Sequence, residues 1–476
     1  MKIAKHKGDL SRRKRINTPE RKLSMKKSRH DLTQGSIFKN LIHLAWPIAL
    51  SNILQDSFSV VDMIFVGKLG AEAISAVDMS SNLQRVISVL SLGISMGTVV
   101  LVSQSIGAQQ REQGENIAMQ ALILSIVCPL VIACIGFPLA EIGLRLLGAE
   151  EEVVRLGVPY LRITLLGGIM MFVSMTLGSI FRAGGDSLTP MIVMIVSTVL
   201  NIVLDPLLIF GIWKFPRLEV AGSAYASVIG RSAGVVIFVY LCFIGRSVIS
   251  LKHVKRRVDL SVMGQILRLG IFSSMQGFLR HVSRLGFIRV VAIHGTNAVA
   301  AYAICMRLRI LVMHLGFGFA NAVAPMVGQN IGAGQIDRAE KSANLAGGLA
   351  TILMAVLGSL LFIFPHLSIR IFTGQAEVIS IGSVYIRYLS ATFAFIAISI
   401  VFGRALNGAG DTVSPMVMTF ICQLGIGLFL VILLSHLVGL KGVWIGIALS
   451  NVVQGLLMWW WFRRGTWKTK KLISKK

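Results

Sequence analysis

The chain is poor in charge and poorer still in acid: 14% of its 476 residues are charged, with Asp+Glu 21 against Lys+Arg 47. An average soluble domain is about 25% charged. At 54% hydrophobic and a mean hydropathy of +0.75, this composition excludes an ordinary soluble enzyme. Cysteine is sparse too. Cys128, Cys134, Cys242, Cys305 and Cys422 are odd in number, lie inside apolar runs and never take CxxC spacing, so they read as small core hydrophobes and not as disulfides or metal ligands. No G-x-x-x-x-G-K-[ST] motif occurs, so the chain is not its own ATPase; there is no HExxH, and His281, His294 and His314 are scattered. Gly93-Ile-Ser-Met-Gly97 matches GxSxG, but it lies inside an apolar helical run without the strand-to-helix turn that exposes a serine nucleophile. It reads as small-residue helix packing. No enzyme activity and no cofactor are expected.

What the chain does have is apolar runs of about 20 or more residues, each long enough to cross a hydrocarbon core of about 30 Å. They are continuous and do not alternate, which leaves helices as the spanning element and excludes a β-barrel. The first run is too long for a signal peptide and lacks a cleavage site, so it reads as a retained helix. Polar breaks predict twelve helices, at 38–66, 71–105, 116–140, 154–181, 188–212, 220–244, 261–293, 297–330, 339–364, 378–405, 414–436 and 442–462. The net charge of +26 sits in the tails and the central loop, where it reports topology and not a nucleic-acid partner. With an even helix count, the basic N-tail, the loop around Lys252, Lys255, Arg256 and Arg257, and the basic C-tail all fall on one side. The positive-inside rule makes that side cytoplasmic.

An internal repeat fixes the architecture. Val102-Ser-Gln-Ser-Ile-Gly-Ala108 matches Val327-Gly-Gln-Asn-Ile-Gly-Ala333, and 329 − 104 gives an offset of 225. Gly-Asp-x-x-x-Pro at Gly185 to Pro190 matches Gly410 to Pro415, and Gly70 matches Gly295, at the same offset. Six helices repeated in parallel predict two six-helix bundles facing each other across a cavity, the geometry of alternating access. The glycine-rich turns are expected to end one helix, with Asp186 and Asp411 capping the next.

A charge at a helix centre costs about 2.5–3.5 kcal/mol on insertion scales, so each intramembrane acid needs a partner or a function. The first half has Asp56, Asp62, Asp78 and Asp205; the second has no mid-membrane acid and carries Arg280, Arg284, Arg307, Arg309, Arg387 and Arg404. Asn201 and Asp205 lie about 40° apart on one helix face, and Gln55 and Asp62 about 20° apart on another. Two carboxylates and two amides so arranged can close a small polar site, or else Asp62 and Asp205 only hydrogen-bond neighbouring helices. Asp56 falls about 120° from Asp62 and belongs elsewhere. Asp78, Arg280 and Arg284 are candidates to line a substrate cavity. Pro47 permits a kink in the first helix, or else marks its start.

Asp31-Leu-Thr-Gln-Gly, Pro47 with Val61-Asp-Met-Ile-Phe-Val-Gly-Lys-Leu-Gly70, the two doubled motifs and Asn201-Ile-Val-Leu-Asp-Pro206 together resemble the MATE (multidrug and toxic compound extrusion) family. The match runs from about Asp31 to Phe462, and Asn201 with Asp205 resembles its DinF-like and archaeal branch. The resemblance implies a cation site in the first bundle at Gln55, Asp62, Asn201 and Asp205, bending of helix 1 at Pro47, and a lesser role for Ser227. The sequence departs from the NorM-type pattern, which has acids in the second bundle.

What the resemblance implies is an all-α integral membrane protein with an N-tail at 1–37, bundles at 38–245 and 261–462, a linker at 246–260 and a C-tail at 463–476. It would be an antiporter that exports small amphipathic, often cationic compounds in exchange for H⁺ or Na⁺. It is expected to be a monomer in the inner (plasma) membrane with both termini cytoplasmic, its partners being the small-molecule substrate and the lipid bilayer. The second-half arginines motivate an alternative, a flippase for an anionic lipid-linked precursor. Residues 1–24 precede the resemblance, so either Met25 is the functional start or the tail anchors to anionic lipid.

Overall fold

The computed structural model describes residues 31–244, 258–470 and 472–473. The tail before Asp31 and the basic loop 245–257 lie outside the described residues, and with them the questions of the Met25 start and the lipid anchor. Among the described residues there are helices and no strand. Twelve long segments follow in order: α1 (Ile37–Gly67), α2 (Ala71–Gly107), α3 (Arg111–Leu146), α4 (Glu151–Ala183), α5 (Leu188–Phe210), α6 (Glu219–Ile244), α7 (Leu260–Ala292), α8 (Thr296–Gly332), α9 (Ile336–Ile363), α10 (Ala376–Ala391 and Phe393–Gly408), α11 (Val413–Val438) and α12 (Leu440–Arg464).

Ten single helices and the two-part α10 are long and apolar enough to cross a membrane. The arginine-bearing α7 completes the expected twelve. Two segments are less regular than their apolar runs suggested. α10 bends by 49° at Thr392, where both the Thr392 N–H (3.0 Å) and its hydroxyl (2.7 Å) turn back to the Leu389 carbonyl. In α11 a π-helical stretch at Phe420–Gly427 presents the Cys422 carbonyl to the Ser450 hydroxyl of α12 at 2.8 Å.

The doubled turns behave as their chemistry requires. Gly185 and Gly410 have φ of +86° and +93°, a region that glycine enters without strain. Asp186 accepts from the Thr189 N–H at 2.9 Å and Asp411 from the Ser414 N–H at 3.3 Å. Both therefore satisfy open donors at the start of the next helix.

α1–α6 and α7–α12 pack largely within themselves and meet where α2 lies on α7 and α8, and α1 on α8. The named cross-half contacts gather toward the end of the molecule that carries the described termini. There the GxSxG segment is a packing surface: a Cβ on Gly93 would crowd the Gly270 carbonyl at 2.9 Å, and one on Gly270 the Gly93 carbonyl at 2.6 Å. The segment after α12 closes the same end. Trp467 stacks on Phe462 at 4.9 Å, Lys468 pairs with Glu340 at 2.6 Å, Lys470 pairs with Asp411 at 2.8 Å, and the Leu472 N–H reaches Gln104 Oε1 at 3.3 Å.

Candidate functional site

α1, α5 and α6 bring the acids of the first half together. Asp205 of α5 is fully buried, and neither of its carboxylate oxygens has a hydrogen-bond partner. One turn earlier, Asn201 Nδ2 donates to Ser227 Oγ of α6 at 3.3 Å, while Asn201 Oδ1 is buried and unpartnered. Asp62 of α1 is half-buried and accepts from Ser223 Oγ of α6 at 2.5 Å. The two carboxylates are within electrostatic reach of each other. The set thus offers three buried acceptor oxygens with nothing to accept from. Burying unpaired acceptors and charge is expensive, and a bound cation or proton removes that cost. Among the described residues no three His, Cys, Asp or Glu side chains gather as a metal site.

The other candidates are placed differently. Gln55 is exposed, and among the described residues no hydrogen bond joins its amide to the set. A seven-residue spacing keeps it on the Asp62 face but sets it about 10 Å away along the helix axis. Asp56 is hydrogen-bonded to His314 Nε2 of α8, across the two halves. Asp78 is exposed on α2, paired with Arg85 at 3.5 Å and accepting from Asn82 at 3.2 Å. Arg280 donates from Nε to the Gln276 carbonyl at 3.3 Å, and Arg284, one turn on, is exposed.

Pro47 lies inside α1 and not at its start. A proline leaves the carbonyl four residues earlier without its helical donor. That carbonyl, His43 O, accepts from Ser187 Oγ of the Gly-Asp turn before α5, at 3.2 Å.

Three further residues border the acids. Ser223 holds Asp62 directly, and Tyr160 of α4 and Arg231 of α6 are electrostatically coupled to it. The two on α6 had a signal in the sequence: Ser223 and Arg231 recur with Ser227 every four residues, a polar stripe on one face of an apolar helix.

Comparison with known proteins agrees with this architecture. The sequence model of the MatE family matches residues 47–207 and 273–433, two stretches whose offset equals that of the internal repeat to within one residue. The chain is 28% identical over 442 residues to the probable multidrug resistance protein NorM of Thermotoga maritima, covering 92% of this chain and 95% of that one. It is 29% identical over 446 residues to the probable multidrug resistance protein YoeA of Bacillus subtilis, covering 92% and 96%. The solved structure of a MOP superfamily transporter from Pyrococcus furiosus superposes with a TM-score of 0.84 at 24% identity, covering 91% of this chain and 97% of that one. That likeness establishes the fold.

Proposed function

The chain belongs to the MatE family of multi-pass membrane transporters, and from that premise we propose that it is a secondary antiporter exporting small amphipathic, often cationic compounds in exchange for H⁺ or Na⁺. The two relatives carrying multidrug resistance names support the substrate class. The observation that carries the coupling site is Asp205, buried with both carboxylate oxygens unpartnered beside Asp62. The proposal further takes the protein to be a monomer in the plasma membrane with its termini in the cytoplasm.

In this reading the described conformation faces outward, because most of the cross-half contacts, the Asp56–His314 bond apart, lie toward the terminal end. The coupling cation enters from outside and binds between Asp62 and Asp205, with Asn201, Ser223 and Ser227 supplying oxygens and Arg231 balancing the remaining charge. Neutralising the acids favours a different packing of α1 about Pro47. That packing narrows the first half and releases the exported compound to the outside. Return to the inward-facing state delivers the cation to the cytoplasm. One charge crossing 100 mV contributes about 2.3 kcal/mol, enough to drive the cycle before any ion gradient is added.

The test is efflux of a fluorescent organic cation from proteoliposomes under an imposed proton gradient, an imposed sodium gradient, or neither. Gradient-dependent transport with one ion is expected. Transport equal under all three conditions would contradict coupling.

A further inference from the structure

Inside the second half stand arginines with no acid to meet them. Arg280 of α7, Arg309 of α8 and Arg404 of α10 form no ion pair among the described residues. Arg280 and Arg404 meet at Gln276: Arg280 Nε reaches its carbonyl, and a Cβ on Gly403, next to Arg404, would lie 3.5 Å from its Nε2; Arg309 lies within electrostatic reach of Arg280. Their partners are weak or missing. Arg280 Nε reaches only a main-chain carbonyl, at 3.3 Å. Arg404 turns an Nη toward the Met96 sulfur at 3.4 Å, a poor acceptor. Arg309 Nε is buried and donates to nothing.

Snorkelling does not account for Arg280 or Arg309, which have helix on both sides, within Leu260–Ala292 and Thr296–Gly332. A guanidinium is donor-only and always charged. Several gathered where they are partly buried repel one another, and an anion bound among them removes that cost. The planar fork fits one class of group, an oxyanion that accepts two bonds at once.

We propose that Arg280, Arg309 and Arg404 form a binding site for the oxyanion, phosphate or carboxylate, of an amphipathic compound. This deepens the transport reading, on which it rests in taking that compound as cargo; the exported compounds then include anionic or zwitterionic ones. The acids of the first half and the arginines of the second are separate sites for opposite charges, one for the coupling ion and one for cargo.

The test uses the full chain in phosphatidylcholine nanodiscs, titrated by calorimetry with 1-naphthyl phosphate and with dihexanoyl phosphatidic acid. Saturable binding of at least one is expected, and the tighter of the two identifies a soluble phosphate or a lipid headgroup as the source. Arg280→Gln, Arg309→Gln and Arg404→Gln should each weaken binding about tenfold. Arg309→Lys keeps the charge and loses the fork, so it guards against misfolding of the Gln variants and should also weaken binding. No saturable binding of either probe overturns the site, as does unchanged affinity in the Gln variants or, where those do not fold, in Arg309→Lys. Phosphate binding without gradient-driven cation efflux would fault the transport reading alone. Cation efflux without phosphate binding would fault this site alone.

Discussion

Gln329 Nε2 donates across the two halves to the carbonyl of Ala183 at 2.7 Å, and its repeat counterpart Gln104 reaches the Gly408 carbonyl at 3.4 Å. Ala183 and Gly408 are themselves 225 residues apart. The doubled motifs are therefore two sides of one reciprocal contact, each glutamine holding the helix end that precedes the other half's Gly-Asp turn. The glycines beside them take part, since a Cβ on Gly107 would overlap the Gln329 carbonyl and one on Gly332 the Gln104 carbonyl.

Loosening this contact is expected to favour opening at the terminal end. Gln329→Ala removes a buried neutral hydrogen bond of about 1 kcal/mol, which corresponds to a roughly fivefold shift in the equilibrium. Gly332→Ala is expected to shift it further, because the added methyl has no room. The rate of maleimide labelling of Ala333→Cys, compared in the otherwise native and variant chains, measures both.

The Ser187 hydroxyl stands in for the donor that Pro47 lacks, and this sets up a double-mutant cycle. Ser187→Ala removes the hydrogen bond to the partly buried His43 carbonyl and should cost about 1 kcal/mol. In a Pro47→Ala background α1 regains its own N–H for that carbonyl, so the same change should cost little. Melting of the four proteins in detergent gives the coupling. Additive losses would mean that Ser187 and Pro47 act independently.

Much of this was legible in advance. Apolar runs and the polar breaks between them marked out the twelve helices, and the repeat located the motifs that meet between the halves, because both signals are local or periodic. The bend at Thr392 was not legible, since it arises from one hydroxyl turning back inside an apolar run. Nor was the distance of Gln55 from the acids, because a helical-face argument fixes angle and ignores height. The companionship of Tyr160 and Arg231 with Asp62 depends on how α4 packs on α6 and how α6 meets α1. Only the four-residue stripe on α6 announced part of it.

The contact between the C-terminal segment and both halves predicts a latch. Lys470→Glu sets a like charge against Asp411, whose side chain is 1% exposed. Because the Lys470 side chain is 44% exposed, screening should hold the loss to about 1 kcal/mol, well below that of a fully buried pair. Faster trypsin cleavage after Arg464 in the variant, at unchanged expression, is the expected result.

The central claim is that Asp62 and Asp205 carry the coupling ion, and gradient-driven efflux by single neutralised variants tests it most directly. Asp62→Asn, Asp205→Asn and Asp411→Asn are compared at matched levels in proteoliposomes. The first two should each lose gradient-driven efflux while still inserting. Asp411→Asn, which removes a cap and an ion pair outside the site, should lower thermal stability and keep coupled transport in the protein that folds. Near-normal export by both Asp62→Asn and Asp205→Asn would contradict the account and leave their carboxylates as structural groups.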